Sequence, residues 1–261
     1  MPRISRFLSS LVLCVSIMFP QVVMAAGSIT IAAAADLKFA MDEIVASFRA
    51  TRPDDKVEVI YGSSGKFHTQ IQQGAPFDLY FSADIGFAKG LEDAGLSAGP
   101  TRPYAVGRIV LWSSSRDASK MRLNDLVDPS INKIAIANPK HAPYGKRAEE
   151  ALRSLGLWEK LQGKLVFGEN IAQTAQFVQT GNAQVGIIAL ALALNPTLAQ
   201  AGGFTMVDDK LHDPLEQGFI VTKRAAGNAL AARFADYMSG KEARAIMMRY
   251  GFVLPGEAGG Q

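Results

Sequence analysis

The sequence predicts an α/β protein of two lobes, and three observations predict it. Short apolar runs of strand length alternate with helical patterns along nearly all of the chain, the pattern of strands joined by crossover helices in a parallel sheet. Turns built from small residues close several of these strands. A longer apolar stretch at residues 104–112 and a return strand at 219–222 split the elements into two α/β blocks, as expected of a chain that crosses between lobes and comes back.

The elements follow in order. Residues 29–34 read as a buried strand, and Phe39, Ile44, Val45 and Phe48 recur at the spacing of a helix face. A second strand at 57–60 runs into the turn Gly62-Ser63-Ser64-Gly65 and a helix through Ile71. A third, 78–81, precedes Ser82 and Asp84, either of which suits the N-cap of a helix running to Ala94. Residues 104–112 read as one long crossing strand. In the second block, strands at 133–137, 164–167 and 185–190 alternate with helices at 144–155 and 171–180. Two helices, 229–238 and 241–250, part at Ser239-Gly240. The expected division is residues 26–108 with 217–261 as the first lobe and 109–216 as the second.

Composition narrows the class. With 48% hydrophobic and 20% charged residues, the 261-residue chain is an ordinary globular one. Its 27 Lys+Arg against 24 Asp+Glu are dispersed, with no basic stripe to bind nucleic acid. Residues 1–25 form a separate unit: Arg3 and Arg6, a short apolar run from Phe7 to Phe19, and small residues ending at Ala25. This is the layout of a cleaved signal peptide, and the run is shorter than the ~20 residues of a membrane-spanning helix. The single cysteine, Cys14, lies inside it, after Leu13 where a lipid-attachment site would place a small residue. The expected product is an exported chain without disulfides or a cysteine-ligated metal.

Ligands of open α/β sheets bind beyond the carboxyl ends of the strands, so the strand-to-helix turns are the places to look. Four stand out: Ala32-Ala33-Ala34-Ala35-Asp36-Leu37, Gly62-Ser63-Ser64-Gly65-Lys66, the run from Asn138 to Gly145, and Glu169-Asn170-Ile171. Taken singly, each is a cap or a turn. Together, small residues and unpaired helix N–H groups at successive strand ends would form an anion site that needs no arginine.

The runs AAAADLKFAMDEI, YGSSGKF, GAPFDLYFSAD, NPKHAPYG and RYGFVLP resemble, in this order and from Ile29 to Pro255, the periplasmic molybdate-binding proteins of ABC importers. The resemblance implies a type II periplasmic binding protein, each lobe a mainly parallel sheet flanked by helices. It implies a tetrahedral oxyanion held by neutral donors from both lobes. Carried over, these donors are Ala35 and Asp36, Ser64 through its hydroxyl and N–H, Tyr144, and the amide of Ile171. Where some members place a tyrosine near QVGIIAL, this chain has Ala189, and its tyrosine stands in the APYG block. The implied ligand is molybdate or tungstate, with no cofactor and no catalysis. The implied partner is the membrane part of an ABC permease, and the implied setting is the periplasm, for a monomer.

Asp36 departs from the Ser or Asn that relatives commonly carry. A carboxylate beside a dianion opposes binding, which leaves three readings: Asp36 caps the helix and offers only its N–H, it accepts a proton from a protonated oxyanion such as hydrogen phosphate, or Lys38 or Lys66 offsets it. The alternatives in function are another anion in the same fold (sulfate, phosphate or a small organic anion), the binding module of a sensor, or a serine hydrolase using Ser64 and His68. The last lacks the G-x-S-x-G elbow and an acidic partner. His141 and His212 show no metal-ligand spacing and read as surface residues, while Trp112, Trp158, Met247 and Met248 read as packing residues.

Overall fold

A computed structural model describes residues 27–256; the signal-peptide reading of residues 1–25, with Cys14, lies outside the described residues. The first block comprises β1 (Ser28–Ala34), α1 (Lys38–Arg49), β2 (Lys56–Gly62), α2 (Ser64–Gln72), β3 (Leu79–Ser82), α3 (Ile85–Asp93) and β4 (Arg102–Gly107). The second begins with β5 (Ile109–Ser113) and β6 (Ile134–Ala137), followed by α4 (Pro143–Ser154), α5 (Trp158–Leu161), β7 (Leu165–Gly168) and α6 (Ile171–Gln179). It ends with β8 (Val185–Ala189), α7 (Leu190–Ala193), α8 (Pro196–Ala201) and β9 (Gly203–Met206). The chain then returns through β10 (Leu215–Val221), α9 (Ala229–Tyr237) and α10 (Lys241–Arg249).

The strands assemble into two five-stranded sheets, ordered β2-β1-β3-β10-β4 and β7-β6-β8-β5-β9. In the first, β1 is parallel to β2 and β3; in the second, β6 is parallel to β7 and β8. One strand in each sheet runs against the others: β10 is antiparallel to β3 and β4, and β5 to β8 and β9. These are the strands by which the chain enters each lobe from the other. They start near the cleft, where the βαβ strands end.

Residues 104–112 are not one strand. Arg108 separates β4 from β5, and the two halves belong to different sheets. Arg108 anchors the crossing, donating from its guanidinium to Gly251 C=O at 3.0 Å while its own carbonyl accepts from Leu190 N–H at 2.9 Å. The return strand begins at Leu215 rather than at 219, because Glu216 and the inward-facing Gln217 interrupt its apolar pattern. β9 is only four residues long and none of them is fully buried, so no apolar run marks it in the sequence.

Each lobe has its own core. Phe81 and Phe219 stack at 4.6 Å beneath α9 and α10 in the first, and Trp112, Ile136 and Ile187 centre the second. Burial of such side chains stabilises the fold by about 1.5–3 kcal/mol each. The second core reaches across the cleft to Ala34, Ala35, Ala83 and Leu215 of the first lobe, so the lobes are packed together. Asp84, not Ser82, caps α3, accepting from Gly86 N–H at 2.8 Å. Trp158 packs under the Arg153 guanidinium, and Met247 is buried, but Met248 is 46% exposed and is not a packing residue.

Candidate functional site

β1, β2 and β3 of the first lobe and β6 and β7 of the second all end at the cleft. Each is followed by a helical start, so first-turn N–H groups with no intrahelical partner face one another from both sides. A short 3-10 turn, Ala35–Leu37, follows β1, Ser64 opens α2, Pro143 and Tyr144 open α4, and Ile171 opens α6. These residues line a small cavity of about 10 Å³. All five sequence-predicted residues, Ala35, Asp36, Ser64, Tyr144 and Ile171, line it, and none is more than 4% exposed. No lysine or arginine is among the lining residues.

Local sequence explains each wall. The alanines ending β1 let its turn approach the second lobe closely. Gly145 permits α4 to start against β6, since a Cβ there would collide with the Ala137 carbonyl. Asn170 caps α6 by accepting from Gln173 N–H at 3.0 Å, leaving the Ile171 amide at the cleft. Ser64 Oγ accepts from Ala83 N–H at 3.0 Å, so its hydroxyl proton remains to donate. The Ser64 carbonyl accepts from Tyr80 OH at 2.8 Å, which fixes the turn.

Asp36 is occupied in a way the sequence did not reveal. Its side chain caps no helix. Instead Oδ2 accepts from Tyr144 OH at 3.0 Å and from Gln217 Nε2 at 2.9 Å, and Gln217 Nε2 also donates to Tyr144 OH at 3.0 Å. Oδ1 is buried and receives no well-formed hydrogen bond. Burial raises the carboxyl pKa, opposed by the hydrogen bonds from Gln217 and Tyr144 and by the amides of Asp36 and Leu37, leaving it pushed up to about 6. Neither lysine compensates: Lys38 pairs with Asp42 at 3.3 Å, and Lys66 pairs with Glu169. The capping and lysine readings are therefore corrected. The Tyr144 hydroxyl is pushed well above the ordinary tyrosine range by its burial and then by the Asp36 charge, so it remains a proton donor.

A second set of bonds joins the lobes on the other side of the void. Gly65 N–H donates to His141 C=O at 3.0 Å, Ser63 Oγ meets His141 Nδ1 at 2.9 Å, and Lys66 pairs with Glu169. His141, read from sequence as a surface residue, is thus a bridge, and burial lowers its pKa and favours the neutral ring. His212 is not a surface histidine either, with a side chain only 2% exposed. His68 makes no pair with Ser64; it packs on Phe87 with ring centroids 5.3 Å apart. Among the described residues, no group of three His, Cys, Asp or Glu could hold a metal ion, and no helix is long and apolar enough to cross a membrane.

Sequence reasoning missed Ser63, Ala83 and Gln217. Ser63 was visible as the N-cap before α2. Gln217 carried one usable signal, a polar residue beside glycine ahead of an apolar strand; in the structure a register shift falls between Gln217 and Gly218, and a bulge of this kind re-aims side chains.

Two α/β lobes that bring helix N-termini together around one donor-lined cavity define a binding protein that closes over a small solute. The chain belongs to the family of bacterial extracellular solute-binding proteins, whose model matches residues 29–253; it is a binding protein and not an enzyme. The molybdate-binding protein ModA of Rhodobacter capsulatus is 37% identical over 233 residues, covering 88% of this chain and 89% of that one. ModA of Azotobacter vinelandii is 35% identical over 230 residues, covering 88% and 91%. The solved Azotobacter vinelandii periplasmic molybdate-binding protein superposes with a TM-score of 0.82 at 30% identity, over 87% of this chain and 99% of that one. The sulfate-binding protein SubI of Mycobacterium tuberculosis H37Rv, at 16% identity and a TM-score of 0.73 over 88% of each chain, shares the fold.

Proposed function

We propose that this protein captures molybdate, and also tungstate, in the periplasm and delivers it to the membrane subunits of an ABC permease. The observation that carries the reading is the void itself, walled by helix N-termini from both lobes and by the Ser64 hydroxyl, with no basic side chain. The likeness to the named molybdate-binding relatives supports the choice of anion. The residues assigned to the anion are Ala35, Asp36, Tyr144 and Ile171 through their amides, and Ser64 through its amide and hydroxyl. The Tyr144 hydroxyl donates to Asp36.

The mechanism is hinge closure. The lobes rotate about the crossing at Arg108 and the return ahead of β10, and the bonds at His141 and Tyr144 form as the anion is enclosed. Water exclusion then strengthens each donor–oxyanion bond. Oxyanions of other size leave donors unpaired, which is costly in a buried site. Titration calorimetry of the anion-stripped mature chain with molybdate, tungstate, sulfate and phosphate tests the reading. One-to-one binding of molybdate and tungstate is expected; binding of sulfate or phosphate alone, or of no anion, would overturn it.

A further inference from the structure

Asp36 presents a contradiction that the proposed function has to resolve. It lines the void meant for an anion, it is 1% exposed, and no cation is paired with it. The groups facing it are neutral near pH 7: Tyr144 from α4, Gln217 from β10, and Tyr104 from β4, whose hydroxyl donates to Ser82 C=O at 3.2 Å and is pushed well above its ordinary pKa. The amides of Asp36 and Leu37 add only partial charge. A negative carboxylate here would repel a dianion at short range in a dry site, where such repulsion is strong. Oδ2 is saturated by two donors, whereas Oδ1 is buried and receives no well-formed hydrogen bond, only the Asp36 and Leu37 amides lying near the carboxyl. An acceptor in that state is a place for a proton.

We propose that Asp36 makes capture proton-coupled: when a fully deprotonated tetrahedral dianion such as molybdate enters the void and the lobes close, one proton from solvent is taken up on Asp36 Oδ1. The carboxyl becomes a neutral group that still accepts from Tyr144 and Gln217 through Oδ2. No bond other than O–H is made, and the proton returns to solvent when the lobes open and the anion leaves. Asp36 thereby becomes a specificity residue, setting the protonation state and pH range in which a dianion is accepted. The raised affinity of this buried carboxyl for protons agrees with the direction of the effect. The anion adds to it, since a nearby negative charge raises a carboxyl pKa further.

This inference rests on the molybdate reading, and the experiment separates the two. Molybdate is titrated into the mature protein by calorimetry in two buffers of different ionisation enthalpy, neither of them an oxyanion, from pH 6.0 to 8.5. The wild type should take up close to one proton per anion at pH 7.5, and its dissociation constant should rise towards ~10-fold per pH unit above pH ~6. Asp36→Asn preserves the side-chain shape and its acceptor but cannot titrate. It should bind molybdate with fewer than ~0.2 protons exchanged and a dissociation constant changing less than ~2-fold over the same range. Tyr144→Phe removes a bond that favours the charged carboxylate, so the pH at which affinity begins to fall should move upward. Molybdate binding by the wild type without proton uptake, or an unchanged proton count in Asp36→Asn, would overturn the coupling alone. Absence of molybdate binding by the wild type would overturn the proposed function and the coupling with it.

Discussion

Replacing Gly65 by alanine separates closure from folding. Gly65 lies in the first turn of α2, where its N–H donates to the His141 carbonyl of the opposite lobe at 3.0 Å. A Cβ at this position would stand 2.8 Å from that oxygen and 3.1 Å from His141 Cα, whereas ordinary contact begins at 3.4 Å. The methyl group therefore requires the lobes to part by roughly half an ångström, and the close-packed interface has no slack to absorb it. The cross-lobe hydrogen bond contributes about 1 kcal/mol, and stretching the donors away from the anion takes the total loss to about 1–3 kcal/mol. That corresponds to about 5- to 150-fold weaker binding, expressed as faster release. Within the first lobe the substitution acts oppositely, because alanine in a helix restricts the unfolded chain and adds about 0.4–1 kcal/mol. Thermal melts without anion, and calorimetry and stopped-flow release with it, should show an unchanged or higher melting temperature beside a weakened complex. Unaltered affinity would refute the assignment of this contact to the liganded state. A large fall in the anion-free melting temperature would show that the methyl strains the first lobe itself.

Three further outcomes follow from the same geometry. Ser64→Ala removes a hydroxyl donor and leaves the Ala83 N–H buried without its acceptor, so anion binding should weaken by about 10- to 100-fold by calorimetry. Because the folded-state pKa of Asp36 lies above its unfolded value of 3.8, at about 6, its ionisation opposes the closed form: stability is greatest below the lower value and falls as pH rises between the two. Melting of the anion-free protein from pH 4 to pH 8 should show this loss, at most about 3 kcal/mol because opening returns the carboxylate to water, and Asp36→Asn should abolish it. Lys66 and Glu169 form a half-exposed pair, so Glu169→Gln should shift affinity by less than about 1 kcal/mol, with the difference vanishing at high salt.

What was legible in the chain was what local chemistry encodes. Apolar runs such as 29–34 and 134–137 marked strands because both faces of these sheets are covered, and Asp84 and Asn170 marked helix starts because nothing else satisfies the first N–H groups there. The turns that wall the cavity were readable for the same reason, since they sit at strand ends, where the fold class places ligands, whereas the five residues within them followed only from the family resemblance. The partners of these residues were not readable. Asp36, Tyr144 and Gln217 lie 108, 73 and 181 positions apart pairwise, and no local pattern announces a contact made only when two lobes meet. The break at Arg108 escaped for a related reason: strand-forming residues flank Gly107-Arg108 on both sides, and the tertiary demand for a crossing divides them there.

The side chains of this site bind one another more than they can bind a ligand. Tyr144 OH and Gln217 Nε2 are spent on Asp36, Ser63 Oγ on His141, and Lys66 on Glu169, which leaves mainly backbone amides and one serine hydroxyl for the anion. Gly107 ties the hinge to this arrangement, for a Cβ there would strike Tyr144 Oη and Gln217 Nε2. Crossing strand, latch and cavity are thus one packed unit. Most side-chain substitutions should accordingly act through how readily the lobes close and at what pH, whereas the choice among tetrahedral anions of one charge state is left to the spacing of amides that substitution scarcely moves.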